Sequence, residues 1–187
     1  LLNSTSNGIQ ISTSSGNNIS GNIQEYSAYG IYLDTSSNNN ILTNNIFRNN
    51  SQAGIYILGD SGEIINNTLE KNKIGIDVSS SSYTIVKYNT VTNSSQYGIQ
   101  IFNRPGNNVS DNILIYNDYG INMQTAANSS VKNNNITNSL QRGINIVTSS
   151  YNLFDNNSIS SNGYAIYIIT SSNNNTLEMI TESKFLV

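Results

Sequence analysis

The sequence predicts an all-β solenoid, a rod built from about eight similar coils of about 22 residues each. A Gly-Ile pair recurs at steps of 22, 24, 21, 23, 22, 23 and 22 residues. Apolar and polar residues alternate within each unit, as they do in half-buried strands. No stretch has the 3.6-residue period of a helix, which argues against a helical repeat. The pairs are Gly8-Ile9, Gly30-Ile31, Gly54-Ile55, Gly75-Ile76, Gly98-Ile99, Gly120-Ile121, Gly143-Ile144 and, with alanine, Ala165-Ile166.

Three further apolar columns follow the Gly-Ile pair in each unit, which gives three short strands and three turns per coil. The second column contains Ile11, Leu33, Ile57, Val78, Ile101, Met123, Ile146 and Ile168. The third column contains Ile19, Leu42, Ile64, Val86, Val109, Val131, Phe154 and Leu177. The fourth column contains Phe47, Leu69, Val91, Leu114, Ile136 and Ile159. Gln24 takes the fourth position in the first unit, so we expect Ile23 to point inward there instead.

Asparagine supplies 36 residues, and seven of them form a column of their own. An amide repeated in every coil can both donate and accept hydrogen bonds along the rod, so it can be buried at low cost. We therefore predict an inward-pointing, structural asparagine ladder at Asn22, Asn45, Asn67, Asn89, Asn112, Asn134 and Asn157. A second column of small polar residues contains Ser27, Asn50, Asn72, Ser94, Asn117, Ser139 and Asn162. The glycine that starts each coil indicates an unusual φ angle or a close approach of two backbones.

These units resemble the right-handed parallel β-helix repeats of NosD-like proteins, of archaeal and bacterial cell-surface proteins and of polysaccharide-active enzymes. The consensus of this family is closely matched by residues 30–50, GIYLDTSSNNNILTNNIFRNN. The resemblance extends from about Gly8 to Leu177 and implies a single-stranded right-handed parallel β-helix. It does not select a function, because the same coil serves lyases, hydrolases, epimerases, adhesins and inert spacers.

The composition argues against catalysis and against several kinds of partner. The chain has no His and no Cys, so a common general base and the soft metal ligands are missing. The polygalacturonase-like and mannuronan-epimerase-like sites that the resemblance suggests need a His, and the copper role of NosD needs such ligands. A net charge of -3 argues against nucleic-acid binding, and no apolar run is long enough to span a membrane. We expect no catalytic residue and no cofactor.

Outward tyrosines near the start of several coils are the candidate carbohydrate-binding residues. An aromatic ring with a polar tip can stack against a sugar, although the same rings can serve only as amphipathic cover over the coil corner. The candidates are Tyr29, Tyr32, Tyr56, Tyr97, Tyr119, Tyr164 and Tyr167.

Three carboxylates near the same edge, Asp34, Asp60 and Asp77, form a sparse calcium candidate. Isolated, solvated carboxylates are the competing interpretation. Ice binding by Thr-Ser-Ser turns at 13–15, 35–37, 148–150 and 170–172 is a further alternative, but intervening coils interrupt that array.

Ten Asn-x-Ser/Thr sequons, few lysines and no cysteine favour an extracellular or cell-surface chain. The glycosylation candidates are Asn3, Asn18, Asn49, Asn66, Asn93, Asn108, Asn128, Asn135, Asn156 and Asn174.

One β-helix domain is expected over residues 1–187, with a divergent end or cap at 178–187. Leu2 fits the fourth column of an incomplete unit, and Glu182 falls in a core column, so neither end resembles a finished cap. We therefore expect the chain to be a segment of a longer solenoid, or its copies to stack end to end. The sequence favours a non-catalytic structural or adhesive module with glycans as partners. The alternative is a polysaccharide-acting lyase, hydrolase or epimerase.

Overall fold

The computed structural model describes residues 6–183, and these form a parallel β-helix of eight coils with three strands in each coil. Coil 1 contains β1–β3, and the numbering continues to coil 8, which contains β22–β24. Leu2, Asn3 and the tail 184–187 lie outside the described residues. The strands are β1 Ile9–Ile11, β2 Asn18–Ser20, β3 Ile23–Glu25, β4 Tyr29–Leu33, β5 Ile41–Thr43, β6 Ile46–Arg48, β7 Ala53–Ile57, β8 Glu63–Ile65, β9 Thr68–Glu70, β10 Ile74–Ser79, β11 Ile85–Lys87, β12 Thr90–Thr92, β13 Tyr97–Phe102, β14 Asn108–Ser110, β15 Ile113–Ile115, β16 Tyr119–Gln124, β17 Ser130–Lys132, β18 Asn135–Thr137, β19 Arg142–Val147, β20 Leu153–Asp155, β21 Ser158–Ser160, β22 Tyr164–Ile169, β23 Thr176–Glu178 and β24 Thr181–Ser183.

Three parallel sheets run along the rod, and each takes one strand from every coil. Sheet I contains β1, β4, β7, β10, β13, β16, β19 and β22. Sheet II contains β2, β5, β8, β11, β14, β17, β20 and β23. Sheet III contains β3, β6, β9, β12, β15, β18, β21 and β24. Because every strand pairs with its counterpart one coil away, residues of one sequence column stand above one another, as predicted.

The four apolar columns form one continuous core between the three sheets. Their members in the middle coils are fully buried, whereas those of coils 1 and 8 pack against the core and are partly exposed. Gln24 aligns with Phe47 in the fourth column, and Ile23 is 65% exposed. The expectation that Ile23 points inward is therefore wrong, because the strand register keeps Gln24 in the inward position.

The asparagine ladder is confirmed at the bend between sheets II and III. In each step the backbone N–H and the side-chain Nδ2 of one Asn donate to Oδ1 of the Asn one coil further on. For Asn89 and Asn112 these distances are 2.9 and 3.0 Å. The Nδ2 group of Asn89 also donates to the carbonyl of Ile64 at 2.8 Å. The side chain thus forms hydrogen bonds with backbone groups at the bend that are not paired within a sheet. Such bonds are required if the bend is to be buried.

Comparable ladders occupy the other two bends. The column that begins with Ser27 lies between sheets III and I, where the backbone N–H of Ser94 donates to Oδ1 of Asn117 at 2.9 Å. A further ladder, which the sequence analysis did not identify, lies between sheets I and II. In it the backbone N–H of Ser129 donates to Oδ1 of Asn152 at 2.9 Å.

The coil-start glycines permit a close approach between neighbouring coils. A Cβ atom at Gly54 would lie 2.9 Å from the carbonyl oxygen of Gly75, and one at Gly75 would lie 2.5 Å from that of Gly98. Their φ angles are not in the left-handed region, so close approach, rather than an unusual φ, is the reason for glycine here.

Left-handed conformations occur instead at the residue before each ladder amide. Asn44, Asn66, Asn133 and Asn156 have φ angles between 51° and 56° and each precedes a ladder asparagine. Asparagine tolerates this conformation better than most residues, so the Asn-Asn pairs at these four bends serve two purposes. The described residues contain no helix that could cross a lipid bilayer.

Candidate functional site

The outer face of sheet I carries all the aromatic ring pairs of the described residues, together with Asp77 and Arg142. Its central column points away from the core, because it lies between the two inward apolar positions of each strand and successive side chains point to opposite faces. From coil 1 to coil 8 this column contains Gln10, Tyr32, Tyr56, Asp77, Gln100, Asn122, Asn145 and Tyr167. A flanking column contains Tyr29, Ala53, Ile74, Tyr97, Tyr119, Arg142 and Tyr164.

Tyr29, Tyr32 and Tyr56 form one compact group, which we call the tyrosine cluster. Their ring centroids lie 5.0 to 5.6 Å apart, and all three side chains are half-buried. Burial, with smaller contributions from Asp77 and the neighbouring rings, raises the pKa of Tyr56 to about 12. The same causes raise the pKa of Tyr29. These phenols therefore stay protonated and can donate hydrogen bonds at neutral pH.

Asp77 lies next to this cluster and is only 6% exposed although it belongs to the outer face. The strand register places it between Tyr56 and Gln100, and the hydroxyl of Ser79 donates to its carboxylate. Burial raises its pKa to about 6, an effect that the Ser79 hydrogen bond partly opposes. The interpretation of Asp77 as a solvated carboxylate is therefore wrong, because its surroundings exclude most water.

Arg142 organises the other half of the face, which we call the arginine cluster, together with Tyr119 and Tyr167. Its guanidinium carbon lies 3.8 Å from the ring centroid of Tyr167 and 5.5 Å from that of Tyr119. Nη1 donates to Oδ1 of Asn145 at 2.6 Å. The half-buried guanidinium is thus held by two rings and an amide, and its other N–H groups can meet a ligand.

The predicted tyrosines therefore fall into two groups along one face. Tyr97 and Tyr164 join the arginine cluster, since their rings lie 5.5 Å from those of Tyr119 and Tyr167 respectively. The sequence analysis did not identify Arg142. The signal was available, because Arg142 precedes the coil-start Gly143 as the flanking tyrosines precede theirs.

The carboxylates of the calcium candidate do not form a cation site. Asp34 accepts hydrogen bonds from the Ser37 hydroxyl and from the backbone N–H groups of Thr13 and Ser36, and these hold its pKa below the usual value. Asp60 accepts a bond from a backbone N–H in the next coil. In residues 6–183 no group of three or more Asp, Glu, His or Cys side chains is arranged to hold a metal ion.

The sequon asparagines within residues 6–183 lie on the outside of the rod. Eight of the ten sequon asparagines are exposed, Asn49 is half-buried, and Asn3 lies outside the described residues. Glycosylation remains a prediction for these positions.

The buried carboxylate makes a testable prediction about stability. The pKa of Asp77 is about 6 in the folded chain and near 3.8 in the unfolded chain, so folding disfavours its charged form. Its contribution to the free energy of unfolding is greatest below pH 4 and is lost as pH rises through 6, a difference of about 3 kcal/mol. Urea unfolding at pH 4 to 8 should therefore find Asp77→Asn more stable than the wild type at pH 8, with the difference shrinking towards pH 4.

A matched carboxylate variant separates this effect from general charge effects. Glu63 is half-buried on sheet II, and Glu63→Gln serves as the control. An Asp77→Asn protein whose stability follows the wild-type pH dependence would contradict the burial of this carboxylate.

The three-sheet coil and its amide ladders define the class of the protein as a parallel β-helix. The family model described as right handed beta helix region matches residues 1–68 and 53–181. The chain therefore belongs to the right-handed β-helix family. A comparison with curated protein sequences found no match.

Several solved structures share this fold over nearly the whole chain. A mutant of the periplasmic alginate epimerase AlgG matches with a TM-score of 0.88 and 21% identity, covering 95% of this chain and 48% of that chain. A second mutant matches with a TM-score of 0.88 and 20% identity, covering 95% and 47%. A further structure of AlgG has a TM-score of 0.82 and 21% identity, again covering 95% and 47%. This chain spans about half the length of these proteins, and identity at this level establishes the fold alone.

Proposed function

We propose that this chain is the glycan-contacting part of a β-helix protein that acts on a polysaccharide. The observation that carries the proposal is the aromatic and charged outer face of sheet I. Seven tyrosines and Arg142 lie along this face, in two clusters with Asp77 of coil 4 between them. Aromatic rings with polar tips and amides are the groups that suit a ligand with apolar ring faces and many hydroxyls.

The dimensions of the face suit an extended polymer. Eight strands in one sheet, at roughly 4.8 Å per step, give a length of about 34 Å. The tyrosine cluster lies in coils 2 and 3, and the arginine cluster, including Tyr97, lies in coils 5 to 8. A polymer of several sugar residues reaches both clusters, whereas a single sugar reaches one.

Arg142 favours an acidic polysaccharide. A guanidinium binds carboxylates through paired N–H donors, and the rings of Tyr119 and Tyr167 hold its plane in place. A uronate residue stacked on these rings would bring its carboxylate within reach of Arg142.

Asp77 and Tyr56 support an enzymatic form of this function. A carboxylate with a pKa of about 6 is a usable base at neutral pH, and a phenol with a pKa of about 12 holds its proton. The two lie in adjacent strands of the same column. The likeness to alginate epimerases favours this form over the non-catalytic module, and proton transfer at a sugar carbon is the reaction class that such a pair can perform.

The non-catalytic structural or adhesive module is the second candidate, and one observation favours it. Arg142 lies three coils from Asp77, about 14 Å along the sheet. Arg142 is therefore too far from Asp77 to neutralise the carboxylate of a uronate ring that Asp77 contacts. Turnover separates the two candidates.

We also propose a location outside the cytoplasm. The exposed sequons, the lack of cysteine and the likeness to a periplasmic enzyme support it. Stacking of copies end to end remains a separate prediction that the described residues leave untested.

Binding and turnover can be measured on the same proteins. Titration calorimetry with polymannuronate and polygalacturonate should find binding that Tyr56→Ala, Arg142→Met and Tyr167→Ala each weaken about tenfold. Proton NMR of the treated polymers should find epimerised or unsaturated residues if the enzymatic form is correct, and Asp77→Asn should slow that conversion by about a hundredfold.

The control is Tyr83→Ala, since Tyr83 is an exposed tyrosine in the bend between β10 and β11, outside both clusters. Binding that all three variants on the face leave unchanged would refute the proposed surface. Binding without conversion of any polymer would select the non-catalytic module.

A further inference from the structure

A separate recess lies at the corner between sheets III and I, beside the outer face of sheet I. It is an open depression with a volume of about 670 Å³. We call it the corner recess. Its lining includes Asn93, Tyr116, Asp118, Asn138, Leu140 and Gln141.

An alternation in bend length creates the recess. In the bend between β12 and β13, two carbonyls accept hydrogen bonds from the next coil: that of Ser94 from the N–H of Asp118, and that of Gln96 from the N–H of Tyr119. The carbonyl of Ser95 between them is left out of this pairing, so Ser95 forms an outward bulge. Leu140 is skipped in the same way in the bend between β18 and β19. The bend between them, which carries Asp118, lacks the extra residue. Two bulges roughly 9.6 Å apart therefore flank one shorter bend.

The same alternation occurs once more along the corner, with a different outcome. The bend between β9 and β10 carries Lys73 and lies between bulges at Ser51 and Ser95. The long side chain of Lys73 reaches along this bend and donates from Nζ to Oε1 of Gln52 at 3.3 Å. In the corner recess the shorter Asp118 replaces the lysine, which leaves space above it.

The polar groups of the recess are held in place. Nε2 of Gln141 donates to both carboxylate oxygens of Asp118, at 3.0 and 3.1 Å. The hydroxyl of Tyr119 donates to Oε1 of Gln141 at 2.7 Å. A carboxylate can accept about four hydrogen bonds, so Asp118 keeps lone pairs for a ligand.

Two apolar side chains form the walls. Tyr116 is 62% exposed and Leu140 is 80% exposed, so both present apolar surface to the recess that they line. The recess thus joins apolar walls to a fixed carboxylate and to the amides of Asn93 and Asn138.

We infer that the corner recess binds one neutral sugar ring, with the ring face against Tyr116 and its hydroxyls donating to Asp118. Asp118 is the one carboxylate and there is no cation among the described residues that line the recess, so a uronate would be repelled. The corner recess would be a second binding site besides the face of sheet I. Only the choice of a sugar as its ligand rests on the proposed function. A branched polysaccharide could then place an acidic backbone on sheet I and a neutral unit in the recess.

The test is a ¹H–¹⁵N NMR titration of the full chain with the methyl glycosides of glucose, mannose and galactose, and with methyl glucuronide. At least one neutral glycoside should shift the amides of residues 93–95, 116–118 and 140–141, and the glucuronide should not. No shift at these residues with any of the neutral glycosides at 100 mM would overturn the inference. Equal shifts with the glucuronide would overturn its selectivity for neutral sugars.

Variants show whether the recess itself is responsible. Asp118→Ala and Tyr116→Ala should each weaken the titration about tenfold. Tyr151→Ala is the matched control, because Tyr151 is also 62% exposed and also has a left-handed φ. Unchanged titration in both recess variants would refute the site. Tyr56→Ala tests the sheet I face and should leave the recess shifts intact, so failure of either proposal is distinguishable from failure of the other.

Discussion

Replacing Asn112 by alanine should lower the free energy of unfolding by about 4 kcal/mol, because four hydrogen bonds to buried groups are lost at once. Oδ1 of Asn112 accepts from the N–H and from Nδ2 of Asn89, at 2.9 and 3.0 Å. Its Nδ2 donates to the carbonyl of Val86 at 2.9 Å and to Oδ1 of Asn134 at 3.0 Å. The side chain is 1% exposed, so water cannot replace these partners without opening the coil.

Asn112→Asp sharpens this prediction through its pH dependence. An aspartate can still accept hydrogen bonds from Asn89. Its second carboxylate oxygen, however, would face two other acceptors, the carbonyl of Val86 and Oδ1 of Asn134, and its charge would be buried. Its pKa in the folded chain should therefore be raised, and the variant should gain stability relative to the wild type as pH falls from 7 to 4. Urea unfolding followed by circular dichroism measures both effects.

The control for both variants is Asn135→Ala, an exposed asparagine at the start of β18. Its loss should change the free energy of unfolding by about 0.5 kcal/mol or less. If Asn112→Ala proved as stable as Asn135→Ala, the ladder would not be a determinant of stability.

The coil architecture could be predicted from the sequence because each column depends on a simple repeated requirement. Inward positions must be apolar, and the side chains at a buried bend must form hydrogen bonds with its backbone groups. Residues equivalent to Ile76 and to Asn89 therefore appear in successive coils at the repeat length. The ladder between sheets I and II was missed because its column mixes chemistries. Thr84, Asn107 and Ser129 all serve there, so no single residue type marks it.

The candidate site could be predicted less completely. The position of a residue in a repeat column predicts whether its side chain points inward or outward, but it does not predict how deeply that side chain is buried. The outward positions of Tyr56 and Asp77 followed from alternation, and both are confirmed as outward. The burial of Asp77 depends on how the surrounding side chains of sheet I pack, and no local pattern encodes this. The corner recess depends on a one-residue difference in bend length around Asp118, which column alignment treats as a gap.

A contrast between the core and the outer face connects stability with function. The inward polar positions use amides, which pair with their own kind, and the ladder leaves Asn89 and Asn112 satisfied. The outer face instead buries one carboxylate, Asp77, whose charged form opposes folding at neutral pH. A stabilising role does not explain a carboxylate in this position, whereas the proposed role as a base for a bound ligand would explain it.

Replacing Gly98 by alanine should cost about 3 kcal/mol of unfolding free energy or more. A Cβ atom there would lie 2.6 Å from the carbonyl oxygen of Gly120 and 2.8 Å from Cδ2 of Leu114. The carbonyl belongs to the next coil, so it cannot move without disturbing the pairing of β13 with β16. Leu114 is fully buried in the fourth column, so it also has no free space into which to retreat.

Gly21 provides the opposite case and the matched control. Its φ is +68°, and a Cβ atom there would meet nothing within 4 Å, so its constraint is conformational and not steric. Gly21→Asn should therefore be nearly neutral, because asparagine tolerates the left-handed region, and Gly21→Ala should cost about 1 kcal/mol. Thermal unfolding of the three variants measures the order. If the Gly98→Ala protein were no less stable than the Gly21→Ala protein, the coils could separate locally to admit the added Cβ atom. The close stacking of the coil-start glycines would then not explain why glycine occupies these positions.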